Sequence, residues 1–70
     1  LTLLLASLQR CQRLYEGGLR CLADRDLDAA ERLAIQRWEL APDQDAARLL
    51  AITYLLQGRY QAAIDVGAND

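Results

Sequence analysis

Apolar side chains recur through the first third of the chain at three- and four-residue steps. Leu1, Leu4, Leu8, Cys11, Tyr15, Gly18 and Leu22 fall on one stripe, the spacing of a single helix face. The pattern predicts a helix over about residues 2–24. Gly17-Gly18 interrupts it, at about 1 kcal/mol per glycine relative to alanine. A neighbouring helix is therefore expected to approach closely at that point. Asp24-Arg25-Asp26 reads as a short polar turn. Asp26 is placed to cap a second helix, and Asp28 adds negative charge at the positive end of its dipole. That helix carries Leu27, Ala30, Leu33, Ala34 and Trp38 on one face and runs to about Leu40. Pro42 closes it, because the residue before a proline is pushed out of helical geometry.

Asp43 or Asp45 caps a third helix reaching Gln57, and Gly58 suits the left-handed position that ends it. Arg59-Tyr60 opens a fourth helix that ends near Gly67. Connections this short make consecutive helices antiparallel. The expected fold is all-α, a tandem of antiparallel helical hairpins. The third helix is unusual, since Ala46, Ala47, Leu49, Leu50, Ala51, Ile52, Tyr54, Leu55 and Leu56 leave it almost no polar face. A helix apolar all round is buried on several sides, and four short helices can hardly surround it. Further repeats or a partner are expected to cover it.

Composition agrees with helix. Apolar residues make up 53% of the 70, mostly Leu and Ala, with one Val, three Ile and no Phe. This favours helix over strand and argues against disorder. A chain this short buries only ~60% of its unfolded surface, so its core is small. Eight Arg stand against ten acids for a net charge of −2, with no Lys and no His. That excludes the basic face of a nucleic-acid binder. The mixed charges read as solvated helix faces.

Cys11 and Cys21 are the only thiols. On one helix they lie ~15 Å apart, beyond the ~7 Å that a disulfide allows. Without His or a second nearby Cys they make no zinc site. They are expected to be small buried apolar residues in a reducing cytoplasm. The Leu-rich start is too short to span a bilayer and has no basic flank, so no membrane insertion is expected. It reads as the start of a segment of a longer protein. With one Ser, no His and no Lys, no catalytic residue is expected, and no metal or other cofactor. Asp24, Asp26 and Asp28 lack the central Gly and terminal Glu of a calcium loop. Helix capping accounts for them.

The chain repeats itself. Arg25-Asp26-Leu27-Asp28-Ala29-Ala30 aligns with Gly58-Arg59-Tyr60-Gln61-Ala62-Ala63 at a shift of 33, a period typical of stacked helical repeats. Leu14, Gly18, Leu27, Ala30 and Pro42, then Ala47, Leu50, Ala51, Tyr54, Gly58, Tyr60 and Ala63, resemble the large, small and proline positions of the tetratricopeptide repeat. The resemblance implies an α–α superhelix fragment, with repeat one over about residues 11–43 and repeat two over about 44–70. On its logic, Gly18 and Ala51 sit at the crossing of the two helices of a unit, facing Ala30 and Ala63. Tyr54 and Tyr60 fill the wider gaps. Ala34 and Arg37 depart from the pattern, standing where the family places an aromatic and a small residue.

The same resemblance implies an inner groove lined by the first helix of each unit. It maps to Gln12, Tyr15, Leu19, Leu22 and Ala23, then to Asp45, Arg48, Ile52, Leu55 and Leu56. Tyr15, Leu19, Leu22, Arg48, Ile52, Leu55 and Leu56 are the candidate partner-binding residues. Such a surface suits an apolar or amphipathic helical segment of another protein. The same side chains would also serve as bundle core or as the seam of a homodimer. Trp38 lies away from the groove and is assigned to packing, and Leu1–Leu8 to a dimerisation or capping arm. Leu14-Tyr15-x-x-Gly18 followed by Leu27-Asp28-x-Ala30 is similar to the opening repeat of the small chaperones of bacterial type III secretion. Asp45-Ala46-x-Arg48 and Gly58-x-Tyr60 continue the similarity loosely, and needle-subunit chaperones share it. This implies a cytoplasmic chaperone or adaptor for a hydrophobic secretion substrate. A self-associating segment of a larger regulator is the alternative.

Overall fold

Local chemistry sets the helix ends at the three turns of the computed structural model, which describes residues 2–68 and the side chains of residues 5–67. The helices are α1 (Thr2–Ala23), α2 (Leu27–Leu40), α3 (Gln44–Leu56) and α4 (Tyr60–Ala68). Leu1, the first residue of the expected stripe, lies outside the described residues, as does the side chain of Leu4. Asp26 caps α2 by accepting from the Ala29 amide at 3.3 Å. Asp43, rather than Asp45, caps α3, accepting from Ala46 N–H at 2.9 Å. Asp45 instead stands in the first turn, where its charge meets the positive dipole end.

The ends of α1 and α3 are built alike. Asp26 N–H donates to Cys21 O and Arg25 N–H to Leu22 O. Thirty-three residues later, Arg59 N–H donates to Tyr54 O and Gly58 N–H to Leu55 O. Both turns pass through a left-handed residue, Arg25 at φ 62° and Gly58 at φ 79°. This is a Schellman closure, which satisfies carbonyls that the helix end leaves free. The backbone thus repeats the period seen in the sequence.

Two hairpins result, α1 with α2 and α3 with α4, and α3 packs on α1 and α2 together. The glycine pair makes this possible. A Cβ on Gly17 would stand 3.2 Å from Leu33 Cδ1 of α2, and one on Gly18 only 2.7 Å from Leu49 Cδ2 of α3. Gly18 therefore serves the junction between units, not the crossing within a unit that the repeat pattern suggested. Around that junction Leu22, Ala30, Ala34, Leu49 and Leu50 form the core, with Tyr15, Cys21, Leu27, Ile35, Trp38, Tyr54 and Val66 packed against it. Trp38 is thus a packing residue. Thr53, fully buried, donates its hydroxyl to Leu49 O at 2.8 Å, which satisfies it within the helix. Cys11 and Cys21 are free and only half-buried.

Two polar devices tie the turns to the helices. Arg37, buried on α2, donates to Ala41 O at 2.6 Å and to Asp43 Oδ2 at 2.8 Å. It clamps the α2–α3 turn, and its Nε has no partner among the described residues. Glu31 accepts from Gln57 at 2.8 Å and from Arg59 at 2.9 Å, and Arg59 lies over the Tyr54 ring at 4.6 Å. The Cα atoms span 40 × 28 × 12 Å. A slab this thin cannot enclose any of its helices on all sides.

Two outcomes are expected in urea denaturation. Gly18→Ala should destabilise by about 1 kcal/mol, because overpacking against a fully buried Leu49 outweighs the gain in helix propensity. Gly17→Ala should be neutral or stabilise by up to ~1 kcal/mol, since half-buried Leu33 can yield. Equal effects at the two positions would refute the assignment of Gly18 to the α1–α3 contact. Separately, the hydrogen bond from Arg37, followed by the Ala46 amide, holds the Asp43 carboxyl below its ordinary 3.8. A lowered folded-state pKa stabilises above the unfolded value and is lost as pH falls through the folded one. Stability should therefore decline below about pH 4, and Asp43→Asn, which still caps, should flatten that decline in denaturation midpoints measured against pH.

Candidate partner-binding surface

Nine large apolar side chains are exposed among the described residues: Leu5, Leu8, Leu19, Leu40, Ile52, Leu55, Leu56, Tyr60 and Ile64. Only Leu22, Leu49 and Leu50 of comparable size are buried. The core is thus small beside the exposed apolar surface.

Helix geometry groups these side chains into faces. Gly17 of α1 points at α2 and Gly18 at α3. Side chains one residue further round α1, beginning with Leu19, therefore turn away from α2. On α3, Leu49 points back at α1, while Asp45, Arg48, Ile52 and Leu55 recur at three- and four-residue steps on the exposed side. α1 and α3 run parallel, with α2 lying against both, so Leu19 and Ile52 share the face opposite α2. Leu56 continues it at the end of α3, and Arg48 is its exposed cation with no ion-pair partner among the described residues. Gln12, also exposed, donates to Glu16 at 3.0 Å.

The candidate residues divide four ways. Leu19, Arg48, Ile52 and Leu56 are exposed on the shared face. Tyr15 is half-buried and leans on the core. Leu22 is corrected from groove to core, being 9% exposed, because α3 covers that side of α1. Leu55 stands 33 residues after Leu22 in the equivalent place on α3, yet is 49% exposed. Among the described residues no helix lies beyond α3 there to cover it. Tyr60, expected to fill a packing gap, is 64% exposed for the same reason.

Leu5 and Leu8, within the run assigned to an arm, are exposed and extend the apolar side of α1 beyond the hairpin. Sequence reasoning left out Ile64, which adds to the exposed side of α4. Two shallow clefts flank α1 and α2, one of about 240 Å³ lined by Arg10, Leu14, Gln36, Glu39 and Leu40, the other of about 210 Å³ at Arg13, Glu16, Gly17 and Arg20. Both are below the ~300–1,000 Å³ of small-molecule pockets. No helix among the described residues is long and apolar enough to cross a membrane, and no three metal-binding side chains converge among them. Comparison with family models, with curated proteins and with solved structures finds no match to the chain.

Neighbouring leucines separate core from surface. Leu22→Asp should unfold the chain, since it buries a charge without a partner. Leu19→Asp should change stability by no more than about 0.5 kcal/mol, as surface substitutions usually do. Circular dichroism melts of the two variants check this; a collapse of the Leu19 variant would make Leu19 core.

Proposed function

We propose that the chain is a tetratricopeptide-like helical-repeat segment that binds another polypeptide and carries out no catalysis. One observation carries the reading. The face of α1 and α3 opposite α2 offers Leu19, Ile52 and Leu56 to solvent beside Arg48, which has no ion-pair partner among the described residues. An amphipathic or apolar helix laid along that face would cover the leucines, and an acid on its flank would meet Arg48. The tandem Schellman closures support the repeat architecture, because they recur at the spacing of the sequence echo. Within this reading the chain acts as a cytoplasmic chaperone or adaptor, and its occupant is a hydrophobic segment of a type III secretion substrate. That narrower role rests on the resemblance of Leu14-Tyr15-x-x-Gly18 and Leu27-Asp28-x-Ala30 to the small chaperones of those systems.

A second reading, self-association, is favoured by Leu5 and Leu8, which are exposed where α1 runs on past its hairpin. Co-expression with translocator and needle-subunit proteins separates the two. The expected result is a stable complex lost on Leu19→Asp plus Ile52→Asp. Survival of every complex in that double variant would overturn the groove reading. A dimer in light scattering that is split by Leu8→Asp and ignores all export substrates would put self-association in its place.

A further inference from the structure

The 33-residue repeat allows each position of the second unit to be compared with its counterpart in the first, where α3 shows what covers it. Gly18 is buried under Leu49, whereas its counterpart Ala51 is half-exposed. Leu22 is core, and its counterpart Leu55 is 49% exposed. Leu27 packs against the cluster holding Leu49 and Leu50, and its counterpart Tyr60 is exposed. Glu31 is engaged by the α3–α4 turn, and its counterpart Ile64 is 61% exposed. The positions that α3 covers on α1 and α2 thus recur, uncovered, along the free edge of α3 and α4, with Ala51 in place of Gly18 and Ile64 in place of Glu31.

The opposite edge shows what the occupant is not. Leu49 of α3 seats on Gly18, and Ala46 and Thr53, at helical steps on the same side as Leu49, are essentially buried with it. Their counterparts on α1 are Arg13, Glu16 and Arg20, all exposed. A second copy stacked head to tail would press these three charges onto Ala51, Leu55 and Tyr60, where the two arginines meet no acid among those residues and pay a desolvation cost. We infer that the free edge of α3 and α4 receives a partner helix of the α3 type, carrying a small residue, a leucine and a second small residue at i, i+3 and i+7. The leucine packs beside Leu55 and against the β-carbon of Ala51, which holds it farther out than Leu49 stands over Gly18. Because Ile64 replaces Glu31, the turn that follows the partner helix presents an apolar residue where this chain presents Gln57 and Arg59. This edge is separate from the α1–α3 face, and either can fail without the other.

A synthetic peptide of residues 43–57, which carries Ala46, Leu49 and Thr53 behind its own cap, is the probe. Titrated into the isotope-labelled chain, it should shift amide signals saturably around Ala51, Leu55 and Tyr60–Ile64. Leu49→Glu in the peptide or Ile64→Asp in the chain should weaken binding at least about tenfold, equivalent to ~1.4 kcal/mol. Gln57→Leu in the peptide should strengthen it. Shifts confined to Leu19 and Ile52, or self-association through Tyr60 and Ile64 without peptide, would overturn the inference.

A tandem chain covers the case of a peptide too short to hold a helix. Joining residues 38–70 directly after Asp70 keeps the 33-residue spacing and presents a second α3 to the edge. It should melt higher than the same fusion bearing Ala46→Arg, Leu49→Glu and Thr53→Arg in the added copy, with slowed amide exchange at Tyr60 and Ile64 only in the former. Equal melting and exchange in the two fusions would also overturn it.

Discussion

The seating of Leu49 over Gly18 is the contact on which the arrangement depends. It joins the two hairpins, and there is no room for a β-carbon at the point of closest approach. A buried leucine contributes about 1.5–3 kcal/mol by leaving water. A helix-interior glycine costs about 1 kcal/mol in propensity. The exchange is favourable only because both helices are held in register by their ends. Asp43 starts α3 at the right height, with Arg37 clamping the turn before it, and the Schellman closure after α1 aims α2 back along it. A weakness in any of these would move Leu49 off the glycine and open the core.

With so small a core, the division between buried and exposed leucines is decided by neighbours rather than by residue type. Leu22 and Leu55 have the same identity, the same place relative to a helix end and the same closing hydrogen bond to their carbonyls. One is core and the other is half outside, because α3 lies beside α1 and nothing equivalent lies beside α3. The apolar character of α3 has the same origin. One side serves the first unit through Ala46, Leu49 and Thr53, another serves α4, and the remainder is left to solvent. The thin slab makes this unavoidable, since no arrangement of four short helices in two layers surrounds one of them.

What could be read from the sequence follows the same line. Helix limits were legible because their causes are local: Asp26 and Asp43 as caps, Gly58 as a left-handed stop and Pro42 as a breaker. Arg25 was less so, since it occupies at φ 62° a place that glycine usually fills. Only its alignment with Gly58 reveals it. The register implied by the resemblance assigned Arg48, Ile52 and Leu56 to one face, and all three are exposed. It could not tell Leu22 from Leu55, or assign Gly18 to α3 rather than α2, because both depend on which helix stands alongside. Arg37 breaks the repeat pattern, and its burial follows from the turn it clamps, a tertiary fact with no periodic signature.

The charges on the two edges complete the picture. A stack of repeats needs complementary edges within and a polar edge where it meets water. On α1 the stacking positions hold Arg13, Glu16 and Arg20, so that edge is compatible with solvent as it stands. On α3 and α4 the corresponding edge holds Ala51, Leu55, Tyr60 and Ile64, with no charge among them. Were both edges polar, the exposed apolar side chains of the inner face would be the chain's only demand for a partner. Were both apolar, copies of the chain would stack without limit. One polar and one apolar edge would give such a stack a direction, and a helix added at α4 would need a different face from the one α1 carries.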